Sequence, residues 1–362
     1  MRLLMITQRI DLDDSILGFA HTWASKLADR IDKLYILPIW LGRHNLPSNV
    51  EVYSAGKEKG ANKIRRFINF NKAVAKIILR ENVNGVFIHQ CPIYAILCSP
   101  YAKLAGIPMV MFYAHKSINP TLRIAHLLLD NVVTSSEEGF RIMSKKKTVI
   151  SQGIDTDLFK PFKIQANNNR RKILSVGRIS PIKNYETLIR AANILINEWN
   201  RSDIEFEVVG DIPTKAEETY FRSLKGLVSK YNLQNYFYFR GAIPNREVAR
   251  YYQSCDLYVN LSRTGSLDKD VLEAMACSKI VLVSNAPYRD VLGEYSATMI
   301  FEDGNAKELS RKIEGVLHLD DKVISNIGDD LRQIVVTNHS VEEFMDKLVE
   351  EFKNGISHRV VI

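Results

Sequence analysis

The sequence has 362 residues, of which 46% are hydrophobic and 25% charged, and a formal net charge of +8 at pH 7. This length fits two domains of roughly 150 to 200 residues, and the composition is that of an ordinary soluble globular protein. No apolar run reaches the roughly 18 residues of a membrane span, and the first residues predict a strand rather than a signal peptide. The positive charge favours anionic partners, such as nucleotides, anionic lipid or nucleic acid.

The four cysteines form no CxxC pair and stand in no secretory context. Reduced thiols in a cytosolic compartment are therefore the expectation. Together with the absence of a predicted span, this predicts a cytoplasmic protein, with peripheral contact at the inner face of the membrane as the alternative.

The chain begins with a predicted buried strand, Arg2–Ile6, followed by a polar loop and a helix over about 18–30. The loop contains a DxDD string at residues 11–14, which has two interpretations. Clustered carboxylates can bind a metal ion, but acidic residues just before a helix are commonly caps and dipole partners. The capping interpretation is favoured, and no metal site is predicted.

A strongly basic helix is predicted over residues 62–80, after extended segments at 34–37 and 50–53. Its apolar positions are Ile64, Phe67, Ile68, Val74, Ile77 and Ile78, and six cations lie among them. One interpretation is an interfacial helix that holds the protein on anionic lipid. The other is a domain helix that packs one face on a sheet, which is favoured because the apolar stripe has the width of a normal core-facing one.

Two histidines follow predicted strands in the first half of the chain. His89 ends the strand at 85–89, and His115 comes just after the strand at 108–113. Both are therefore predicted at the carboxyl edge of a parallel sheet, where open α/β sheets bind ligands. A lone histidine at such a place is more often structural than catalytic, so both interpretations stay open.

The domain boundary is predicted in the run 153–171, which has the proline, asparagine and mixed charge of a linker. Strands at 131–134 and 148–150 close the first domain, which is assigned residues 1–160. The second domain is assigned residues 161–340. An amphipathic helix over 341–362 follows, beginning with Ser340 and Glu343 as a capping box, and is predicted to pack back on the first domain.

The second domain alternates strands and helices, the pattern of a parallel doubly wound sheet. Its strands are predicted at 172–176, 204–209, 236–239, 256–260, 280–284 and 298–301. After the first strand, Gly177 allows a sharp turn and Asn184 is predicted to cap a helix with Leu188, Ala192, Leu195 and Trp199 on one face. Arg178 and Lys183 lie between them, and two cations at the carboxyl end of a strand suit a diphosphate.

A second candidate loop lies in Leu257–Ser284, which predicts a strand, a glycine-containing loop, a helix and a strand. This order places a helix N-terminus at the carboxyl end of a parallel strand, where free backbone N–H groups bind phosphates. Glu273 lies in the first turns of that helix, where a carboxylate can accept hydrogen bonds from ribose hydroxyls. The alternative is an ordinary βαβ unit in which Glu273 is solvated.

The pair VGRISPIKNYETLIRAA and TGSLDKDVLEAMACSKIVLVS resembles the donor-binding half of retaining glycosyltransferases of family 4. The segments ISQGIDTDLFKP, FEVVGD and FYFRGAIPNREVARYYQSCDLYVNLS extend the resemblance over nearly the whole chain. It implies the α/β GT-B fold, with two Rossmann-like, doubly wound parallel-sheet domains facing a cleft. It also implies metal-independent, retaining transfer of a sugar from a nucleoside diphosphate sugar to a glycan, lipid-linked or other hydroxyl acceptor, without a cofactor and without nucleic acid as a partner.

The resemblance also implies site residues. Catalytic roles fall to His89, Arg178, Lys183 and Glu273, and His115 lies on the acceptor side. Donor-binding residues are Gly18, Gly177, Gly210, Arg240, Gly241, Gly265, Ser266, Leu267, Leu272 and Glu273. Two positions depart from the family pattern: the first loop usually has paired glycines but keeps only Gly18, and the position eight before Glu273, usually a glutamate, is Gly265.

Three other classes of protein stay open. A sugar-nucleotide epimerase or phosphorylase shares the two-domain architecture. A dinucleotide oxidoreductase is disfavoured because no GxGxxG follows the first strand. An inactive, binding-only relative is suggested by Gly265, where the family carries an acid.

Overall fold

The computed structural model describes residues 1–162, 170–212 and 214–360, with side chains through residue 356. The chain divides into two compact units, one formed by Met1–Gly153 with Ser340–Ile362 and the other by Ile154–His339. The asparagine triplet of the predicted linker, with residues 163–166 before it, lies outside the described residues.

The first unit is built on a parallel sheet of seven described strands in the order β3-β2-β1-β4-β5-β6-β7. These are β1 (Arg2–Ile10), β2 (Lys33–Leu41), β3 (Val50–Val52), β4 (Gly85–His89), β5 (Met109–Phe112), β6 (Asn131–Thr134) and β7 (Lys147–Val149). The helices between them are α1 (Phe19–Ala28), α2 (Lys63–Arg80), α3 (Pro92–Leu104) and α4 (Pro120–Leu128). Continuous apolar runs such as Leu3–Ile6 are fully buried, as expected for central strands covered on both faces.

Helices cover both faces of this sheet. On one face, buried side chains of α2, α3 and α4 form a single apolar cluster with the strands. On the other, α1 packs beside the C-terminal helix Val341–Val360, and the rings of Trp23 and Phe344 are 4.2 Å apart. The hydroxyl of Ser340 accepts a hydrogen bond from the backbone N–H of Glu343 at 3.3 Å, which starts this helix. The carboxylate of Glu343 pairs with Lys347 instead of completing the predicted box.

Helix α2 packs on the sheet only in part as the favoured interpretation predicted. Val74, Ile77 and Ile78 are buried in the apolar cluster. Ile64, Phe67 and Ile68 are 72%, 53% and 45% exposed, so the packing interpretation is wrong for these three residues. The helix begins after Asn62, whose side-chain Oδ1 accepts a hydrogen bond from the backbone N–H of Arg65 at 2.9 Å.

The second unit contains a parallel sheet of five described strands in the order β10-β9-β8-β11-β12. These are β8 (Arg171–Val176), β9 (Ile204–Val209), β10 (Phe237–Gly241), β11 (Leu257–Asn260) and β12 (Val281–Val283). The helices are α5 (Tyr185–Asn193), α6 (Lys215–Lys230), α7 (Asn245–Ser254), α8 (Lys269–Ala276), α9 (Tyr288–Leu292), α10 (Ser296–Met299), α11 (Ala306–Leu317) and α12 (Asp321–Asn338). The order reverses between β8 and β11, so the loops after these two strands open at a switch point, where such sheets bind ligands.

Three local predictions in this unit are wrong. The strand at 298–301 is instead the short helix α10, and only Ile300 bridges to Val283 at the sheet edge. Asn184 adopts a left-handed conformation (φ +47°) and its side chain donates to Asp303, so it does not cap α5 with its side chain. Trp199 lies beyond a π-turn that ends the helical segment at Glu198 and is 37% exposed, whereas Leu188 is fully buried.

Candidate active site

Three glycines end neighbouring strands of the second sheet and lie close together. The N–H of Gly177 donates to the carbonyl of Val209, and the N–H of Gly210 donates to the carbonyl of Gly241, both at 2.9 Å. A Cβ on Gly210 would lie 1.9 Å from the carbonyl oxygen of Gly177, so a larger residue does not fit there. At this edge of the sheet, Gly210 therefore lets two strand ends come close together, and Gly241 leaves open space where a side chain would stand.

Lys183 lies at this edge, at the end of a short turn after β8. Its stem passes over Gly177, where a Cβ would meet Cε of Lys183 at 2.9 Å. The ammonium lies 3.0 Å from Oδ2 of Asp270 and 3.4 Å from Oδ2 of Asp268. Burial alone would lower the pKa of Lys183, but the two carboxylates outweigh it and raise the pKa above its ordinary value. Lys183 is therefore a fixed, permanently charged group.

Asp268 and Asp270 are site residues that sequence reasoning missed. Asp268 directly precedes α8 and Asp270 lies in its first turn. The amide of Asn260 donates to both carboxylates, at 3.4 and 3.2 Å, and the hydroxyl of Thr264 donates to Asp268 at 3.1 Å. Burial and the charge of Asp268 raise the pKa of Asp270, which Lys183 partly offsets. The positive end of α8, predicted to receive a diphosphate, thus already faces two carboxylates.

Glu273 is buried, which contradicts the interpretation that it is solvated. Its Oε2 accepts a hydrogen bond from the hydroxyl of Tyr252 on α7 at 3.0 Å. Burial, with the nearby charge of Asp270, raises the pKa of Glu273 to about 7. Burial lowers the pKa of the neighbouring Lys269 to about 7. Lys269 and Glu273 lie four positions apart on α8, on either side of Asp270 in the sequence, so the site contains a second set of buried ionisable groups beside the lysine and the two aspartates.

The loop before α8 is held mainly by its backbone. Gly265 adopts a left-handed conformation (φ +66°) that favours glycine. The carbonyl of Ser266 accepts a hydrogen bond from the amide of Asn285 at 2.6 Å, and Leu267 is buried. The side chain of Leu272 is fully buried in the apolar core.

The two predicted arginines of the second unit have different surroundings. Arg178, directly after Gly177, is exposed. Arg240, near the end of β10, donates from Nε to Oε1 of Glu207 at 3.0 Å and ion-pairs with the same oxygen through Nη2. Glu207 is 2% exposed and also pairs with Lys172 at 3.4 Å. Arg240 is therefore engaged with the sheet, whereas Arg178 presents its charge to solvent.

The remaining predicted site residues lie in the first unit. His89 is 1% exposed, its Nδ1 lies 3.0 Å from the hydroxyl of Thr7, and its ring packs against Trp23 at 5.2 Å. His115 is exposed, and its backbone N–H donates to the carbonyl of Gly139 at 2.8 Å. Gly18 precedes α1 with an ordinary helical φ of −53°. His89, His115 and Gly18 belong to the first unit, and the lysine site belongs to the second.

The acidic string at residues 11–14 forms local contacts. Asp14 accepts hydrogen bonds from the backbone N–H groups of Ile16 and Leu17 at 2.8 and 2.6 Å, and Asp13 pairs with Arg43 at 2.7 Å. These contacts are those of a turn before a helix. Over the described ranges, no three His, Cys, Asp or Glu side chains are grouped so as to hold a metal ion.

Comparison with known families identifies the chain. A family model described as glycosyl transferases group 1 matches residues 157–351, more than half of the sequence. The chain belongs to this family. The match covers β8 to α12, including the strand-end glycines, Lys183 and the acidic loop.

Individual relatives in this family are distant. The chain is 29% identical over 149 residues to a D-inositol 3-phosphate glycosyltransferase of Kineococcus radiotolerans, covering 38% of this chain and 34% of that protein. It is 26% identical over 194 residues to the enzyme of the same name from Thermobispora bispora, covering 50% of this chain and 45% of that protein. The chain thus spans less than half the length of these curated relatives.

Solved structures of similar fold cover the whole chain. Anabaena HepE, in complex with UDP and glucose, superposes with a TM-score of 0.76 at 17% identity over 97% of this chain and 99% of that one. Sucrose-phosphate synthase from Thermosynechococcus elongatus has a TM-score of 0.76 at 16% identity, covering 99% and 100%. These similarities confirm the predicted GT-B fold, with its two Rossmann-like parallel-sheet units.

Proposed function

We propose that this member of the glycosyl transferases group 1 family transfers a sugar from a nucleoside diphosphate sugar to a hydroxyl acceptor, with retention of configuration and without a metal ion. The observation that carries the proposal is Lys183, held over Gly177 between Asp268 and Asp270 at the switch point of the second sheet. Family membership supports it, and so does the UDP and glucose complex named for the structural neighbour HepE.

The geometry of Lys183 suits a diphosphate. An ammonium group has three N–H donors. Two of them are directed at Asp268 and Asp270, which leaves one for a phosphate oxygen. The carboxylates fix the position of the ammonium before the donor binds, so little reorganisation is needed when the leaving group gains charge. The exposed guanidinium of Arg178 can hold the same diphosphate bidentately.

In the proposed reaction, the bond between the anomeric carbon and the diphosphate oxygen breaks, and the acceptor oxygen bonds to that carbon on the same face. The acceptor proton passes to an oxygen of the leaving diphosphate. Lys183 and Arg178 stabilise the charge on that diphosphate, which is the task a metal ion performs in other transferases. Glu273 binds a donor hydroxyl through its carboxylate, which also accepts the hydrogen bond of Tyr252.

The acceptor and its location are part of the same proposal. A glycan or lipid-linked hydroxyl is the proposed acceptor class, and a cytoplasmic enzyme in peripheral contact with the inner face of a membrane could reach a lipid-linked one. Among the described helices, none is long and apolar enough to cross a bilayer.

The test begins with binding. Nucleoside diphosphates titrated calorimetrically into the purified protein should bind equally well with and without chelator. Lys183→Ala should weaken that binding, whereas the control Lys225→Ala, which removes an exposed cation of α6, should not. No binding of any nucleoside diphosphate, or binding abolished by chelator, would contradict the proposal. A panel of nucleotide sugars with and without acceptor then identifies the product, and its anomeric configuration tests retention.

A binding-only protein is the second candidate. It is favoured by Gly265, where the family pattern has an acid, because one expected contact to the sugar is missing. That candidate predicts nucleotide sugar binding without transfer or hydrolysis for any acceptor in the panel. An epimerase or phosphorylase would instead form product without an alcohol acceptor.

A further inference from the structure

The first two turns of α2 carry an exposed apolar surface. Ile64, Phe67 and Ile68 are 72%, 53% and 45% exposed, although the same helix buries Val74, Ile77 and Ile78. Ile93, in the first turn of the neighbouring α3, is 42% exposed. Leaving four large apolar side chains in water at one place is unfavourable and typically marks a contact surface.

A cavity of about 500 Å³ opens beside these residues. It is lined by Ile39, Lys63, Arg66, Phe67, Phe70, Ile93, Tyr94 and Leu97. The stacked rings of Phe70 and Tyr94, 5.4 Å apart, form one wall. Six of the eight lining residues are apolar or aromatic and two are cations, so the cavity suits a molecule with an apolar chain and an anionic group.

Arg66 supplies an unsatisfied donor at this cavity. Its Nε is buried and has no hydrogen-bond partner among the described residues. The charge of Arg66 also acts on Tyr94 in the cavity wall. Burial and Cys91 raise the pKa of Tyr94, and the positive charge of Arg66 opposes that rise. A buried donor without an acceptor is costly, and a phosphate oxygen would satisfy it with a charge-assisted hydrogen bond.

The charge of α2 matches an anionic surface. The helix carries six cations, Lys63, Arg65, Arg66, Lys72, Lys76 and Arg80, and no acidic residue among its 18 positions. A basic helix with an exposed apolar patch binds anionic bilayers by combining apolar insertion with electrostatic attraction. A nucleotide or a free sugar would leave the apolar walls of the cavity uncovered.

We propose that this surface is a binding site for an anionic phospholipid of a membrane. Lys63 and Arg66 hold the lipid phosphate, an acyl chain lies along Phe67, Phe70 and Leu97, and Ile64 and Ile68 contact the bilayer surface. The proposal uses no residue of the lysine site in the second unit. It therefore stands or falls independently of the proposed sugar transfer.

The test is co-sedimentation of the full chain with vesicles of phosphatidylcholine, with and without phosphatidylglycerol. Binding should require phosphatidylglycerol. Phe67→Ser should lower the partition coefficient at least about tenfold, since an inserted aromatic side chain is lost. The control Leu79→Ser, on the same helix and 50% exposed, should change it less than about twofold.

A second pair of variants separates a specific phosphate contact from general charge. Arg80→Gln removes one cation far from the cavity and should weaken binding at most about fivefold. Arg66→Gln removes the same charge together with the phosphate contact and should weaken it about twentyfold or more. Equal effects of the two arginine variants, or of the two serine variants, would overturn the site.

The source of the phosphate and other occupants are tested in the same assay. Soluble glycerol phosphate should not displace the protein from vesicles, and displacement would overturn the lipid assignment in favour of a free phosphate. Vesicle-free protein should sediment alike with and without Phe67→Ser. A Phe67-dependent dimer would assign the surface to a second copy of the chain instead. The affinity of each variant for a nucleoside diphosphate should stay unchanged. An unchanged affinity shows that the second unit is intact.

Discussion

The ammonium of Lys183 lies 3.0 Å from the carboxylate of Asp270, across 87 positions of sequence, and Asp268 is the second carboxylate at 3.4 Å. Asn260 donates to both acids and so ties them together. The three charged side chains are only 12% to 13% exposed. These contacts hold in place the lysine that the proposed reaction needs.

Lys183→Ala is expected to destabilise the protein and to abolish turnover. Removing the ammonium leaves two carboxylates close together and largely buried, so the free energy of unfolding should fall by about 2 to 4 kcal/mol. Turnover should fall by more than the affinity for the donor does, because the lost charge counts most when the diphosphate leaves. Urea unfolding and steady-state kinetics measure the two effects.

The triple variant Lys183→Met, Asp268→Asn, Asp270→Asn is the control for folding. It removes all three charges and should recover most of the lost stability, since no unpaired carboxylate remains. It should stay inactive. If the triple variant regained turnover, Lys183 would be a structural residue of an ion pair rather than a group that acts on the donor.

Glu273→Gln is expected to flatten the dependence of stability on pH. With a folded pKa of about 7 against an ordinary 4.5, Glu273 keeps a proton in the folded state that the unfolded chain has lost between these values. Its contribution to stability is therefore fully present below pH 4.5 and is lost as pH rises to about 7. The pKa of Lys269 is lowered from 10.5 to about 7, so this lysine changes the free energy of unfolding only above pH 7.

Thermal midpoints of both proteins across this window provide the measurement. The difference between wild type and Glu273→Gln should shift steadily in favour of the variant as the pH rises. Glu218→Gln, which changes an exposed carboxyl on α6, is the matched control and should parallel the wild type. A constant difference between Glu273→Gln and wild type would show that Glu273 titrates normally.

The strands were predictable because their apolar runs are short, continuous and followed by glycine or polar residues. Gly85–His89 and Ile204–Val209 are found at the predicted bounds. The pairing of Lys183 with Asp268 and Asp270 was not predictable, because it joins two loops that only the sheet order β8-β11 brings together. Two acids at a helix start resemble ordinary dipole partners in the sequence.

The sequence also did not predict which apolar or charged side chains along a helix are buried. The apolar residues of α2 have one period throughout, but only the later ones meet the core, and Ile64 does not. Glu273 likewise lies where a solvated helix residue is common, yet it is buried and accepts a hydrogen bond from Tyr252 of α7. In both cases a neighbouring element of the fold determines whether the side chain is buried. The periodicity of the helix gives no information about that element.

Arg240→Gln is expected to change stability rather than nucleotide affinity. Its guanidinium is engaged with Glu207, which is 2% exposed, so the variant leaves that buried carboxylate with only the longer contact to Lys172. Because Arg240 itself is 41% exposed, the cost should be about 1 to 2 kcal/mol. Nucleoside diphosphate affinity should stay within about twofold.

The control for Arg240 is Arg246→Gln, an exposed cation on α7 at 45% exposure, which should leave stability nearly unchanged. Differential scanning fluorimetry and calorimetric titration measure both quantities. A large loss of affinity for Arg240→Gln at unchanged stability would show that the arginine contacts the nucleotide, as the family resemblance implies.

His89→Ala is expected to act mainly on stability. The ring is 1% exposed, packs against Trp23 and Phe19, and lies 3.0 Å from the hydroxyl of Thr7. Its removal leaves a cavity and an unpaired buried hydroxyl, which should lower the free energy of unfolding by about 2 to 4 kcal/mol. Turnover per folded molecule should fall less than about tenfold, with nucleoside diphosphate affinity unchanged.

The matched control for His89 is the double variant Thr7→Val, His89→Phe, which keeps the ring and removes both polar groups of the buried pair. Replacing both partners by apolar groups of similar shape costs little stability, so this protein should fold nearly as well as wild type. Its turnover then decides the role of the imidazole without the complication of a cavity. Near-normal turnover makes His89 a packing residue of the first unit, whereas a loss of about a hundredfold or more, corresponding to roughly 3 kcal/mol of transition-state stabilisation, would assign it to the reacting sugar.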